Sequence, residues 1–292
     1  MKILAYAKIN LTLDITGRRE DSYHLLDMVM QSVTLADEIE LVRGPSGSGI
    51  QMECSREELP CGPDNTGFRA AESFFREARI ADPGLCLRLK KKIPSQAGLG
   101  GGSADAAAVL LGLNQLYGVG FSEEKLREIG LKVGADVPFC LTGGTARVQG
   151  IGEKITRLPD LPRWPVVICK PSVSVSTKEA YRKSDQAPGE YPFSTPRMLA
   201  AVQDGSLSAV CGAVGNQFEE ILRIPEIIRL KEQMRHLGAC GVCMTGSGSA
   251  VYGIFEREEP AEICETSLKQ EYPETFLCST CREPAFLFPA TE

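Results

Sequence analysis

The chain has 292 residues, with 32 Lys and Arg against 38 Asp and Glu, so its formal net charge is −6. This length suggests one large domain or two ordinary ones, and it allows a core that needs neither disulfides nor metals to fold. The acidic balance argues against a general nucleic-acid-binding protein, which needs a basic face. A hydrophobic content of 43% excludes a chain that is mainly disordered.

The apolar runs of the chain are short. None approaches the roughly 20 residues of a membrane-spanning helix. Lys8 interrupts the first apolar run after a few residues, so the N-terminus does not resemble a signal peptide. We therefore expect a cytoplasmic protein without a membrane partner.

The chain has eleven cysteines, which we expect to be reduced thiols in a cytoplasmic protein. Two pairs have the CxxC spacing, Cys240 with Cys243 and Cys278 with Cys281. Together they imitate a zinc site with four thiolates, but neither has the Gly/Pro-rich turn that wraps sulfur around zinc. We expect both pairs to lie in strands.

The first predicted element is a strand, because apolar and polar residues alternate from Ile9 to Ile15. Further strands are predicted at 27–35, 38–42, 50–53, 85–93, 145–149, 154–158, 166–169, 240–245, 250–255 and 276–281. Helices are predicted from Asn65, from the glycines at 100–102 to about Tyr117, from the cap Ser122, and at 176–183, 195–202, 225–236 and 261–270. Strands mixed with helices, in runs rather than strict alternation, indicate an α+β fold. The proline-rich segment 159–165 is the expected linker between domains 1–158 and 165–283.

The strongest local motif is a glycine-rich turn between a predicted strand and a predicted helix, with glycine at 98 and at 100–102. Glycines let successive backbone N–H groups converge on an anion, and the helix N-terminus adds unpaired donors. The turn therefore suits phosphate, although a tight turn without a ligand is the alternative. A Walker A loop is excluded because the chain has no Gly-Lys dipeptide, and Ser103 stands where a dinucleotide fingerprint needs glycine.

Two further segments are ambiguous when taken alone. Thr245-Gly-Ser-Gly-Ser249 either closes over phosphates or is a plain turn between two strands. Asp136, between a predicted helix and Pro138, either bonds to its own backbone or presents a base to a cleft.

Several motifs, taken together and in order, resemble those of one enzyme family. They are Ala7-Lys-Ile-Asn-Leu-Thr-Leu, the Pro-x-x-x-Gly-Leu-Gly motif from Pro94 to Gly100, Gly134-Ala-Asp-Val-Pro-Phe and Met244-Thr-Gly-Ser-Gly-Ser. In this combination the chain resembles the GHMP kinases, over nearly its whole length. The resemblance implies two lobes with the active site in the cleft between them. The N-terminal lobe would resemble domain 2 of ribosomal protein S5, and the C-terminal lobe would be ferredoxin-like.

The resemblance also assigns roles to matching residues, with ATP and Mg²⁺ as cofactors. Lys8 and Asp136 take the catalytic positions, Asp136 as general base and Lys8 as its electrostatic partner. The residues matching the ATP site are Pro94, Gly98, Leu99, Gly100, Gly101, Gly102, Ser103 and Asn65, with Ser103 also the candidate Mg²⁺ ligand. The residues matching the substrate site are Asn10, Tyr23, His24, Thr177, Tyr181, Gly246 and Ser247.

Within the family, the motifs resemble the branch that phosphorylates a hydroxyl of a cytidine diphosphate substrate in the non-mevalonate isoprenoid route. Tyr23 and Tyr181 are then expected to enclose the pyrimidine, since aromatic side chains stack well on bases. Three alternatives remain: a GHMP kinase for homoserine or mevalonate, a nicotinamide-dependent oxidoreductase that uses the glycine turn for pyrophosphate, and a non-catalytic nucleotide-binding regulator.

Overall fold

The computed structural model describes residues 1–81, 83–187 and 191–287. Its elements, in chain order, are β1 (Lys2–Arg18), β2 (His24–Arg43), β3 (Gly49–Cys54), α1 (Thr66–Glu77), β4 (Gly84–Lys90), α2 (Gly101–Leu116), α3 (Glu123–Val133), α4 (Val137–Thr142), β5 (Thr145–Gly150), β6 (Lys154–Arg157), β7 (Pro165–Cys169), α5 (Thr177–Gln186), α6 (Thr195–Asp204), α7 (Leu207–Ala213), β8 (Gly215–Asn216), α8 (Gln217–Leu222), α9 (Pro225–His236), β9 (Gly241–Met244), β10 (Val251–Ile254), α10 (Glu258–Lys269), β11 (Thr275–Ser279) and β12 (Ala285–Leu287).

The first half of the chain forms most of a large sheet, in which β12, β1, β2, β4 and β3 are neighbours in that order. The long strand β2 also pairs with β5, and β5 with β6. Strands β3 and β4 run parallel and are joined through α1, while β1 and β2 are antiparallel with a bulge next to Asn10. The short strand β8 and the last strand β12 return from the second half of the chain to pair with β1.

The second sheet is antiparallel, with the order β11, β7, β10, β9. Numbered along the chain, these are strands 4, 1, 3 and 2 of a β-α-β-β-α-β unit, which is the ferredoxin-like arrangement. Helices α9 and α10 pack on this sheet. The ferredoxin-like second lobe and the α+β class expected from the sequence are therefore confirmed.

Helix α2 lies against β1 at close range because its residues are small. Ala106 and Ala108 are fully buried, and a Cβ added at Gly112 would stand 2.4 Å from Ile3 Cδ1 and 2.5 Å from Leu41 Cδ1. Such packing leaves no room for a larger side chain at 112. The helix that follows the glycine turn is thereby fixed to the strand that carries Lys8.

Most predicted elements are found, with bounds that shift by a few residues. The strands predicted at 27–35 and 38–42 are one continuous strand, β2. The cap predicted at Ser122 is present and accepts a backbone N–H of its helix. The helix predicted to open at Asp64 and Asn65 begins at Thr66, with Asn65 as its N-cap. The elements that periodicity did not predict are α4, α7, α8, β8 and β12, all of seven residues or fewer.

The two CxxC pairs lie at opposite edges of the second sheet. Cys243 belongs to β9 and Cys278 to β11, with two strands between them. Cys240 and Cys281 lie just outside these strands, so the expectation that both pairs lie in strands holds for one cysteine of each pair. Neighbouring strands are about 4.8 Å apart, so the pairs are separated by roughly 14 Å, too far for a shared zinc ion. Within the described ranges, no group of three or more His, Cys, Asp and Glu side chains is arranged to hold a metal.

No helix in the described part of the chain has the length and apolar character needed to cross a membrane.

Candidate active site

Two cavities meet at the glycine turn. The larger, of about 1280 Å³, lies between the lobes. All nine residues predicted for catalysis or acceptor binding line it: Lys8, Asn10, Tyr23, His24, Asp136, Thr177, Tyr181, Gly246 and Ser247.

The smaller cavity, of about 350 Å³, lies on the other side of the glycine turn. All eight residues predicted to bind ATP line it: Asn65, Pro94, Gly98, Leu99, Gly100, Gly101, Gly102 and Ser103. Gln96, Gly98, Gly100 and Ser103 line both cavities, so the turn is the wall between them. A group held by the turn is accessible from both sides.

Lys8 and Asp136 form the charged pair of the larger cavity. Lys8 Nζ lies 3.3 Å from Asp136 Oδ2, and the lysine side chain is only 4% exposed against 33% for the carboxylate. Asp136 occupies the N-cap position of α4, but its side chain makes no capping hydrogen bond. The carboxylate is therefore free of its own backbone and faces the cavity. This geometry suits a base rather than a turn residue.

The glycine turn is held against β1 and against the second lobe. The Lys8 backbone N–H donates to Leu99 O at 3.0 Å. Gly98 and Gly100 both have positive φ, of 74° and 68°. A Cβ at Gly98 would stand 2.1 Å from Thr245 O, and one at Gly100 would stand 3.0 Å from Lys8 Cγ. Glycine is needed at both positions for its conformation and for the close approach of neighbouring atoms.

Asn10 joins Lys8 to the loop that follows β9. It lies two residues beyond Lys8 and on the same face of β1, as strand geometry requires. Its Oδ1 accepts from Lys8 Nζ at 2.8 Å and from the Gly246 N–H at 3.0 Å, and its backbone N–H donates to Thr245 Oγ1 at 3.0 Å. Asn10 is fully buried. Its position in the cavity wall thus depends on both lobes.

An aromatic group lies at the far end of the larger cavity. The His24 and Tyr181 rings are stacked, with centroids 4.5 Å apart and planes 19° from parallel. His24 Nε2 also lies 2.7 Å from Asp185 Oδ1. Burial raises the pKa of Tyr181 to about 12, and the negative charge of Asp136 adds to the effect. Tyr23 is 63% exposed, so it offers a flat apolar face at this end of the cavity.

Helix α5 supplies further polar groups to the same cavity. Thr177 Oγ1 and Ser247 Oγ are 2.8 Å apart, which ties the start of α5 to the loop after β9. Lys178 and Arg182, one turn apart on α5, also line the cavity. Their positive charges suit a substrate that carries phosphates.

The smaller cavity has a buried charged group in its wall. Lys91 Nζ contacts the carboxylates of Asp37 and Asp105, and all three side chains are at most 5% exposed. Asp37 also accepts the backbone N–H groups of Lys92 and Ile93. Burial raises the pKa of Asp105 to about 8, the charge of Asp37 acting in the same direction and that of Lys91 opposing it.

Comparison with known proteins agrees with this geometry. The family model described as "GHMP kinases N terminal domain" matches residues 65–144, and "GHMP kinases C terminal" matches residues 198–274. A 4-diphosphocytidyl-2-C-methyl-D-erythritol kinase from Moorella thermoacetica is 42% identical over 281 residues, which cover 94% of this chain and 97% of the relative. The chain belongs to the GHMP kinase family.

Other relatives of this GHMP kinase show the same pattern. The enzyme of the same name from Caldicellulosiruptor saccharolyticus is 41% identical over 288 residues, 98% of this chain and 99% of the relative. A crystal structure of 4-(cytidine 5'-diphospho)-2C-methyl-D-erythritol kinase superposes with a TM-score of 0.80 at 33% identity, covering 96% of this chain and 99% of that one. A homoserine kinase from Cytophaga hutchinsonii, at 19% identity and a TM-score of 0.77 over 98% of this chain and 96% of that one, shares the fold.

Several residues around the two cavities of this GHMP kinase were not predicted from its sequence. Lys178, Arg182 and Asp185 lie on α5 near Thr177 and Tyr181, so reading that helix turn by turn from Thr177 would have found them. The contact of Lys91 with Asp37 joins residues far apart in the chain, and no local pattern indicates it.

Proposed function

We propose that this GHMP kinase transfers the γ-phosphoryl group of ATP to the 2-hydroxyl of 4-diphosphocytidyl-2-C-methyl-D-erythritol. The reaction serves isoprenoid precursor synthesis by the non-mevalonate route. The observation that carries the proposal is the glycine turn between two cavities. One cavity is lined by the residues predicted for ATP, and the other by Lys8, Asp136 and an aromatic end suited to a pyrimidine.

In this reaction Asp136 is the general base. The acceptor hydroxyl attacks the γ-phosphorus, its proton passes to the Asp136 carboxylate, and the bond to the leaving ADP oxygen breaks. Lys8, 3.3 Å from that carboxylate, offsets the negative charge on the phosphoryl oxygens. Phosphoryl transfer depends mainly on such positioning and charge stabilisation.

The glycine turn holds the phosphates of ATP. Its backbone N–H groups and the N-terminus of α2 favour negative charge at the boundary of the two cavities. Mg²⁺ in kinases is held mostly by phosphates and waters, with one or two protein oxygens. Ser103 carries a hydroxyl and lines both cavities, and we propose that it supplies such an oxygen. When bound, the ion neutralises charge on the phosphates.

The cytidine end of the substrate occupies the aromatic end of the larger cavity. Tyr23 lies exposed there and is available to stack on a base, while the Tyr181 ring is already stacked with His24. We propose that His24 and Tyr181 form one wall and Tyr23 the other. Stacking of this kind contributes roughly 1–3 kcal/mol per base. Lys178 and Arg182 lie where they can pair with the diphosphate. The division into domains 1–158 and 165–283 forms part of the same proposal, with the cleft between them as the active site.

Release of ADP with a set of acceptors tests the substrate. We expect turnover with 4-diphosphocytidyl-2-C-methyl-D-erythritol and none above background with homoserine or mevalonate, because neither carries a base for the aromatic end. Phosphorus NMR of the product identifies the phosphorylated hydroxyl. Turnover with homoserine or mevalonate instead would replace the proposed substrate. Nucleotide binding without ADP release would favour a regulator.

The variant Asp136→Asn tests the base. It keeps the shape of the side chain but cannot accept the proton, so we expect kcat to fall by about 10²–10⁴-fold. Glu256→Gln, at an exposed position away from the cavities, is the matched control and should keep wild-type kcat. A folded Asp136→Asn variant with more than a tenth of wild-type kcat would remove Asp136 as the base.

A further inference from the structure

Asn216 has a buried side chain that makes three hydrogen bonds, and none of them has a role in the proposed reaction so far. It is 4% exposed and stands at the junction of β8 and α8. Its Nδ2 donates to Met244 O and to Gly246 O, each at 2.8 Å. Its Oδ1 accepts the Phe218 N–H at 3.0 Å and so caps α8. Both amide hydrogens and the amide oxygen are therefore used.

The two carbonyls that Asn216 binds flank Thr245, at the start of the loop whose residues Gly246 and Ser247 line the larger cavity. Glu219, one turn into α8, holds the same segment through its Oε2, which accepts the Met244 N–H at 2.8 Å. The beginning of this loop is thus held by the short helix α8, whose Phe218 also lines the larger cavity.

The other side of the loop is attached to the catalytic strand and the glycine turn. The Gly246 N–H donates to Asn10 Oδ1 at 3.0 Å, and Thr245 Oγ1 donates to Gly98 O at 3.1 Å. The same Asn10 Oδ1 also accepts a hydrogen bond from Lys8 Nζ. A shift of Gly246 therefore reorients the amide of Asn10 and with it the lysine that pairs with Asp136.

Asn216 is itself fixed to the strand that bears Lys8. Its backbone pairs in parallel with Leu13 of β1, three residues beyond Asn10. The loop is consequently held at two points of one strand, by the side chain of Asn10 and by that of Asn216. This arrangement keeps the loop at a constant distance from the catalytic pair.

We propose that Asn216 is a positioning residue for phosphoryl transfer, which rests on the proposed function. Its two amide hydrogens hold the Met244 and Gly246 carbonyls, and through Gly246 they set the orientation of Asn10 and Lys8. Catalytic geometry is sensitive to such support, since a displacement of about 1 Å far from the reacting atoms costs on the order of 10²-fold in rate.

The variant Asn216→Asp separates this role from helix capping. Aspartate keeps the oxygen that accepts the Phe218 N–H and caps as well as asparagine does. Its second oxygen cannot donate to the Met244 and Gly246 carbonyls and repels them. We expect kcat per folded molecule to fall at least tenfold, and toward 10²-fold, while KM for ATP changes less than threefold.

Two comparisons complete the experiment. Asn216→Ser is neutral, retains a capping oxygen and is too short to hold both carbonyls, so it should show the same loss of kcat. Ser122→Ala removes the cap of α3, where Ser122 accepts the Lys125 N–H, and should lower stability without lowering kcat per folded molecule. Urea unfolding gives the folded fraction for each variant.

A loss of kcat in either folded Asn216 variant supports the inference. If both variants keep wild-type kcat per folded molecule, or if neither folds, Asn216 serves stability alone. Either result overturns the inference. A wild-type enzyme that releases no ADP with 4-diphosphocytidyl-2-C-methyl-D-erythritol removes the proposed function and, with it, this inference. The assay of the wild type thus tells the two failures apart.

Discussion

The buried group of Lys91, Asp37 and Asp105 predicts a specific dependence of stability on pH. One lysine lies between two carboxylates, and the two carboxylates accept different numbers of hydrogen bonds. Asp37 accepts from Lys91 and from two backbone N–H groups. Asp105 accepts from Lys91, while its Oδ1 has no hydrogen-bond partner in the described part of the chain. Asp105 is therefore the carboxyl group that retains a proton.

The size of the effect follows from the pKa of Asp105. Burial raises this pKa to about 8 in the folded protein, whereas an aspartate in an unfolded chain titrates near 4. Between about pH 4 and pH 8 the folded state thus holds a proton that the unfolded state has lost, so its stability falls as pH rises. The slope is about 1.4 kcal/mol per pH unit. From pH 6 to pH 9 the loss is about 2–3 kcal/mol, and it levels off above pH 8.

The variant Asp105→Asn removes this titration. In the wild type, Asp105 lowers the free energy of unfolding by about 2–3 kcal/mol between pH 6 and pH 9. This fall should be absent from the variant. Urea unfolding at several pH values, followed by the fluorescence of the single, buried tryptophan Trp164, measures both curves. Because the two proteins share all other titrating groups, their difference isolates residue 105.

Parallel curves for the two proteins over that range would contradict the prediction. That result would mean that Lys91 neutralises Asp105 as fully as Asp37, and that the carboxyl group is ionised throughout. A curve for the wild type that rises with pH relative to the variant would reverse the sign of the linkage.

Two further perturbations act on contacts between the lobes. Gly98→Ala forces a Cβ to within 2.1 Å of Thr245 O at a φ of 74°. We expect the free energy of unfolding to fall by at least about 1–2 kcal/mol and the KM for ATP to rise. Urea unfolding measures the first and ADP-release kinetics the second. Wild-type values of both would contradict this expectation. Asp14→Ala removes the carboxylate that accepts the Ser194 and Thr195 N–H groups at the start of α6. We expect the free energy of unfolding to fall by about 1–3 kcal/mol and the Thr195 amide to exchange its hydrogen faster. Unchanged exchange would show that another group caps the helix.

The sequence predicted the elements whose signals are local. The alternation of apolar and polar residues from Ile9 to Ile15 lies within β1, because successive side chains of a strand point to opposite faces. Both faces of β1 are buried from Ala7 to Asp14, so the polar residues Asn10, Thr12 and Asp14 are buried as well. Ser122 caps α3 through a bond to a residue three positions on, which a short window reveals. The glycines of the turn predicted a strand-to-helix connection, and α2 begins at Gly101.

Several features that the sequence did not predict depend on distant partners. Strand β8 has two residues, and it exists because β1 lies alongside it. The cap of α6 comes from Asp14, 180 positions from Ser194, so no pattern near α6 indicates it. The charged group around Lys91 likewise joins β2 to α2 through a residue that looks like part of an ordinary basic run.

Local patterns in the sequence predicted the glycine turn and the type of most elements, and the ordered motifs predicted residues that line the two cavities. The sequence did not determine that Lys8 and Asp136 meet within 3.3 Å, or that Asn10 and Asn216 hold one loop from both sides. Those distances were decided by the tertiary structure. Local conformation follows from neighbours along the chain, whereas the position of a charge in a cleft follows from how separate lobes pack.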